Sequence, residues 1–154
     1  MKTVDEILPG AYLCELCGCT QSDYEQIAQL MPALTQHCQL SYAALKAVTD
    51  HPDSHFYVLR SGERIIACAT MCVFVSPTGR KASIEDVIVH PDYQNLGLGR
   101  ALMDFILSKA REFAPLTLQL TSRPSRQAAN ALYRKMGFQS KETNFYVLKI
   151  DSKE

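Results

Sequence analysis

From residue 98 onward the apolar side chains fall at Leu98, Ala101, Leu102, Phe105, Ile106, Ala110 and Phe113. That three-and-four spacing is one face of a helix, and Pro115 marks its stop. Just upstream the pattern changes. The β-branched stretch "ASIEDVIV" (82–89) predicts a strand, and Gly97 and Gly99 stand where that strand hands over to the helix. Earlier, "AYLCEL" (11–16) reads as a short strand, and Ser22-Asp23-Tyr24-Glu25 as a capping box opening a helix from Asp23 to Met31. A second helix is predicted from Ser41 to Thr49. "HFYVLR" (55–60), the turn "SGE" and "RIIACATMCVFV" (64–75) predict a hairpin with a long second strand.

After the glycines, "TLQLT" (117–121) alternates as a strand, and Ser125 is placed to cap a helix running through Met136, with Gly137 as its stop. "TNFYVLKI" (143–150) predicts a final strand. The order is strand, two helices, three strands, helix, strand, helix, strand. It implies an α+β domain, antiparallel early, with a parallel crossover around residues 84–121. No linker or repeat divides the chain, so residues 1–154 are expected to form a single domain.

Composition narrows the field. The chain is 47% hydrophobic and 21% charged, ordinary for a globular protein, and its 16 basic residues balance its 16 acidic ones. No global field draws it to nucleic acid or an acidic membrane. Neither the N-terminus nor any later segment has the apolar run of a signal peptide or membrane span, so the expectation is a cytoplasmic protein with thiol cysteines. Cys14, Cys17 and Cys19 include a C-x-x-C, but no second Cys/His pair follows at zinc-site spacing, and no metal is expected. Cys38, Cys68 and Cys72 sit among apolar residues as small hydrophobes. His37, His51, His55 and His90 show no triad or metal spacing.

Glycine weakens a helix, so two at a helix entrance need a reason. A helix N-terminus carries unpaired N–H groups and the positive end of the dipole, and bare glycines let an anion approach them. The bland alternative is a tight turn with nothing bound. A dinucleotide fingerprint would need a third glycine where Leu102 stands, and a P-loop would need Gly-Lys-Ser/Thr, which is absent.

Gln94-x-x-Gly97-x-Gly99 resembles the (Gln or Arg)-x-x-Gly-x-(Gly or Ala) signature of the GNAT superfamily of acetyl-CoA-dependent N-acetyltransferases. "IEDVIVHPDYQNLGLGRALM" is similar to that family's central strand, pyrophosphate loop and helix, and "AANALYRKMGF" (128–138) to its second helix. The resemblance implies a central mixed, mostly antiparallel sheet with helices on both faces. It further implies acetyl-CoA as cosubstrate. The pyrophosphate would lie on the segment Gln94, Asn95, Leu96, Gly97, Leu98, Gly99 and Arg100, held by the amides from Leu96 to Arg100. The pantetheine arm would run along Val87, Ile88 and Val89, pairing with Val87 and Val89 as an added strand. Asn130 and Tyr133 on the second helix would complete the cofactor contacts. Many members place an Asn seven residues before the helix tyrosine, where this chain has Arg126. Arg80 or Lys81 would reach a phosphate, or would simply be solvated.

Acetyl transfer to an amine needs a base, oxyanion stabilisation and a proton for the leaving thiolate. Glu85 and Asp86 lie beside the expected thioester, and strand alternation points only one of them into the cleft unless a bulge intervenes. Glu85 shares parity with Val87 and Val89 and is favoured as the base, a structural role for both being the alternative. Tyr133 is the candidate acid, or else a core aromatic on the stripe of Ala129 and Met136, and the Val87 amide is a donor for the carbonyl. His37, Tyr42, Tyr57, Asn144 and Tyr146 are candidates for the acceptor pocket. The expected acceptor is a small-molecule primary amine, with a protein lysine or N-terminus, or a non-catalytic acetyl-CoA sensor, as alternatives. A homodimer is one expected assembly.

Overall fold

The computed structural model describes residues 3–35 and 39–151. His37 therefore lies outside the described residues. They fall into two compact units, Met1–Thr121 and Ser122–Glu154.

The first unit is built on a five-stranded sheet of β1 (Ala11–Glu15), β2 (Ser54–Ser61), β3 (Arg64–Ser76), β4 (Gly79–Val89) and β5 (Thr117–Leu120), in that spatial order. β1 to β4 pair antiparallel, and β5 runs parallel to β4 after the crossover helix α4 (Leu98–Ala110). A short helix α1 (Val4–Ile7) precedes β1, and α2 (Gln21–Leu30) and α3 (Tyr42–Thr49) lie between β1 and β2. The α+β class, the early antiparallel strands and the parallel crossover are all as the hydrophobic pattern predicts.

Helices cover both faces. Ile27, Leu30 and Leu45 from α2 and α3 pack against Phe56, Val58, Cys68 and Ile88 on one face. On the other, α4 buries Leu98, Leu102, Met103, Ile106 and Ala110, and Phe105 meets the Tyr57 ring edge-on at 5.6 Å. Each large apolar side chain so removed from water contributes about 1.5–3 kcal/mol.

The start of α2 differs from its predicted cap. Thr20, not Ser22, is the N-cap: its side chain accepts from the Asp23 N–H, while the Asp23 carboxylate accepts from the Thr20 N–H at 2.9 Å and its hydroxyl at 2.7 Å. Asp23 also accepts from Arg60 Nη2 at 2.5 Å, which ties the helix start to β2.

In the second unit α5 (Gln127–Lys135) begins without a side-chain cap, since Arg126 and not Ser125 occupies the N-cap position. Gly137, at φ 95°, ends it, and the Phe138 N–H returns to the Tyr133 carbonyl at 3.0 Å. Residues 139–151 hold no strand, and Phe145, Tyr146, Val147, Leu148 and Ile150 are exposed. The alternation of 143–150 is strand-like, but a strand exists only where its backbone groups find a ladder partner, and this unit contains none.

Candidate active site

β4 and β5 pair only from Lys81↔Thr117 to Ile84↔Leu120. Beyond Ile84 no strand among the described residues pairs with the β5 side of β4, and that edge of the sheet is open within the first unit. The His90 N–H donates to the Ile66 carbonyl on the β3 side at 2.8 Å, so by strand alternation the main-chain groups of Val87 and Val89 face the open edge. Ile88, between them, turns its main chain toward β3 and its side chain into the core. The open edge offers the backbone donors and acceptor that an extended arm needs to add itself to the sheet.

That edge leads directly into the glycine loop. Gln94 Nε2 donates to the Val89 carbonyl at 3.1 Å and fastens the loop to the strand end. Asn95 (φ 63°) and Gly97 (φ 88°) both take left-handed backbone, and Gly97 is the N-cap of α4. Among the described residues no acceptor meets the amides of Asn95, Leu96, Gly97, Leu98, Gly99 or Arg100. Six successive N–H groups at the positive end of a helix fit an anion of pyrophosphate type. Arg100 Nε bonds Asp104 Oδ2 at 3.0 Å, so its charge is partly spent within α4. At the loop entrance, Arg64 Nη2 lies 3.0 Å from His90 Nε2, with its guanidinium 5.7 Å above the Tyr93 ring.

The bulge left open by the sequence is present. Cys68 pairs with Ile88 and Thr70 with Glu85, so Ala69 alone opposes Asp86 and Val87. The parity argument for Glu85 is thereby overturned. Glu85 stands across from Thr70, which pairs with Phe56, whereas Val89 stands across from Ala67, which pairs with Leu59. Glu85 and Val89 are on opposite faces. Counting back from Ile88 brings Asp86 to the same face as Glu85, and Asp86 holds φ 52°, a conformation Asp tolerates better than most residues. Ser83 Oγ donates to Glu85 Oε1. Burial, followed by the charge of Glu85, pushes the Asp86 carboxyl above its ordinary value. Burial, followed by the Asp86 charge, pushes the Cys68 thiol up to about 12.

In the second unit the Tyr133 ring is half-buried and meets Phe138 edge-on at 6.0 Å. Burial raises its hydroxyl above the ordinary tyrosine value, against an opposing pull from the Arg126 charge. Asn130 Nδ2 donates to the Arg123 carbonyl at 2.9 Å, which commits the amide to its own loop.

Other sequence candidates have structural duties. Tyr57 is only 1% exposed and lies beneath α4, not in a pocket. Tyr42 donates to the Cys19 carbonyl at 3.0 Å, and Asn144 Nδ2 to the Tyr146 hydroxyl at 3.3 Å. Arg80 bonds the Phe113 carbonyl at 2.9 Å and Lys81 the Thr78 hydroxyl at 2.8 Å. Among the described residues no group of three or more His, Cys, Asp or Glu could hold a metal, and no helix is long and apolar enough to cross a membrane. The Gln94 clasp had no sequence signal, because it depends on where the loop folds back, whereas the Ser83–Glu85 contact follows from their i, i+2 spacing on β4.

Comparison with known proteins places this geometry. The model of the "Acetyltransferase (GNAT) family" matches residues 21–138. An uncharacterized N-acetyltransferase, ycf52, of Porphyra purpurea is 27% identical over 138 residues, covering 89% of this chain and 75% of its own. The [Ribosomal protein bS18]-alanine N-acetyltransferase of Escherichia coli K12 is 41% identical over 58 residues, covering 38% of this chain and 39% of that enzyme. Among solved structures, an aminoglycoside acetyltransferase from an uncultured soil metagenomic sample superposes with a TM-score of 0.78 at 16% identity, covering 93% of this chain and 99% of that one. The chain belongs to the GNAT family and is an acetyl-CoA-dependent N-acetyltransferase.

Proposed function

We propose that residues 1–154 form one cytoplasmic catalytic domain that acetylates the primary amine of a small molecule by direct attack within a ternary complex. The observation that carries this reading is the continuity of the open β4 edge at Val87 and Val89 with the unpaired amides from Asn95 to Arg100. Acetyl-CoA supplies, when bound, a thioester whose carbonyl carbon accepts the amine and whose C–S bond breaks with its electron pair on sulfur. Val87 and Val89 align the pantetheine arm through main-chain bonds. The amides from Leu96 to Arg100 hold the pyrophosphate, and Gln94 keeps the loop against the strand. The Val87 amide, on the open edge, donates to the carbonyl oxygen as charge develops on it. A carboxylate of the Glu85–Asp86 pair removes the acceptor's proton, and Tyr133 gives or shares a proton with the departing sulfur. No metal takes part.

A second reading, acetylation of a protein N-terminus, draws on the 41% identity with the bS18-alanine enzyme over 58 residues. One experiment separates the two. Purified protein and acetyl-CoA are offered a panel of small amines and alanine-initiated peptides, with CoA thiol release and product mass as readouts. Turnover of small amines above the peptides supports the first reading, and the reverse order supports the second. Acetyl-CoA binding without turnover of any amine would make the chain a sensor.

A further inference from the structure

His90 follows the last residue of β4 and caps the short 3-10 turn Pro91–Tyr93, its Nδ1 accepting from the Asp92 N–H at 3.2 Å. Its other ring nitrogen, Nε2, lies 3.0 Å from Arg64 Nη2 at the start of β3. The two contacts cannot both be hydrogen bonds. A neutral imidazole has one N–H and one acceptor nitrogen, and a protonated one has no acceptor at all. With Nδ1 committed to the cap, Nε2 carries the proton and aims it at a guanidinium that has only donors to offer. Two donors converge, and the described residues supply them no shared acceptor. Arg64 also lacks a counter-charge. Arg60 meets Asp23 and Arg100 meets Asp104, but among the described residues no carboxylate pairs with Arg64, whose guanidinium lies 5.7 Å over the Tyr93 ring. The Asp92 carboxylate is on the Nδ1 side of the imidazole, 3.8 Å from that nitrogen.

An anionic oxygen set against this pair would accept from both donors and end their conflict. The place narrows which anion. Tyr93 directly precedes Gln94, whose side chain fastens the glycine loop to the Val89 carbonyl, so the cluster stands at the entrance to the amides from Asn95 to Arg100. Beyond its pyrophosphate, at the end away from the thioester, CoA carries a second phosphate group, a monoester on the ribose. We propose that Arg64 and His90 form a site for that ribose phosphate. One phosphate oxygen accepts from His90 Nε2–H, and the planar Arg64 fork donates to the others. The Tyr93 ring holds the guanidinium in place from its face. Binding exchanges a contact between donors for charge-assisted hydrogen bonds, and the His90 cap on Asp92 is kept. The site rests on the acetyl-CoA reading above, to which it adds a preference for the cofactor that carries the ribose phosphate.

The test is calorimetric affinity of the full chain for acetyl-CoA and for acetyl-dephospho-CoA, which lacks only the ribose phosphate. The wild type should bind acetyl-CoA about tenfold or more tighter, the usual worth of hydrogen bonds to a charged group. Arg64→Gln should close that gap to within about threefold by weakening acetyl-CoA, with acetyl-dephospho-CoA held within about twofold. His90→Asn keeps a side-chain acceptor for the Asp92 amide but removes Nε2–H, and should narrow the gap by about threefold. Arg64→Lys, which retains the charge and loses the fork, should fall between the wild type and Arg64→Gln. Equal wild-type affinity for the two cofactors overturns the site and leaves the acetyl-CoA reading standing. So does an Arg64→Gln protein that keeps the full gap, or one that loses both cofactors alike. A wild type that binds neither cofactor overturns the acetyl-CoA reading, and the site with it.

Discussion

Gly99 rests on Val89: a Cβ added at Gly99 would meet Val89 Cγ2 at 3.6 Å, ordinary van der Waals contact. The fold therefore tolerates alanine there. Gly97 is different, because φ 88° strains any side chain whatever the space. Gly99→Ala is expected to leave the melting temperature within about 3 °C of wild type, since a surface change without such strain stays near 0.5 kcal/mol. The same variant should keep acetyl-CoA affinity within about threefold by calorimetry, because the signature that this loop resembles takes Gly or Ala at this position. A loss of about tenfold or more would mean that the ligand needs a bare backbone at Gly99 itself. Gly97→Val is a poorer probe, because it would lose affinity and stability together.

Gln94 holds the loop through one hydrogen bond to the Val89 carbonyl. Gln94→Ala removes about 0.5–1.5 kcal/mol of such a bond. Acetyl-CoA KM is expected to rise about threefold to tenfold, with kcat less affected. A kcat loss at unchanged KM would show that Gln94 acts on the chemistry instead.

Arg60 and Asp23 form the ion pair that locks α2 onto β2. Burial alone would raise the Asp23 carboxyl, but the Thr20 backbone and hydroxyl bonds and the Arg60 charge outweigh it and hold it below the usual carboxylate range. The stability this confers is full above the unfolded pKa of about 4 and is lost as pH falls through the lower folded value. Asp23→Asn should flatten that part of the acid unfolding curve, as followed by circular dichroism. Arg60→Ala, which strands a buried carboxylate, should cost about 3 kcal/mol in urea unfolding.

Apart from α1, which the hydrophobic pattern missed, and the strand expected at 143–150, the elements and the loop were legible because they rest on local rules. The stripe from Leu98 to Ala110 and the glycines at 97 and 99 each announce their own conformation. The bulge did not. Nothing in "IEDVIV" marks which residue goes unpaired, since that is decided by the β3 register across from it, and the parity argument for Glu85 failed there. Tyr57, named as a candidate for the acceptor pocket, is covered by Phe105 of α4, and nothing in the segment 55–60 shows which helix will lie on which face of β2. Thr20 outcompeted Ser22 as helix cap because Asp23 could bond back to it while also meeting Arg60. Whether Tyr133 packs or donates a proton cannot be read from helical spacing, which suits both.

Tyr133→Phe removes one hydroxyl and keeps the ring that meets Phe138. Turnover is expected to fall about 10²–10⁴-fold, the usual worth of general acid help, with acetyl-CoA affinity unchanged. Burial raises this hydroxyl, so it stays protonated through neutral pH and remains able to donate. Full turnover by the variant, with chemistry rate-limiting, would return Tyr133 to a packing role.

On the function proposed above, acetyl-CoA lies along the open edge of β4 and on the amides that open α4. Amide hydrogen exchange of the full chain, with and without saturating acetyl-CoA, reads those groups one by one. The amides of Val87, Val89 and Asn95 to Arg100 should exchange at least tenfold more slowly with ligand, while the β2–β3 hairpin between Ser54 and Ser76 is little changed. Unchanged exchange at 87–100 under saturating acetyl-CoA would mean that the ligand does not lie there, whatever activity the protein displayed.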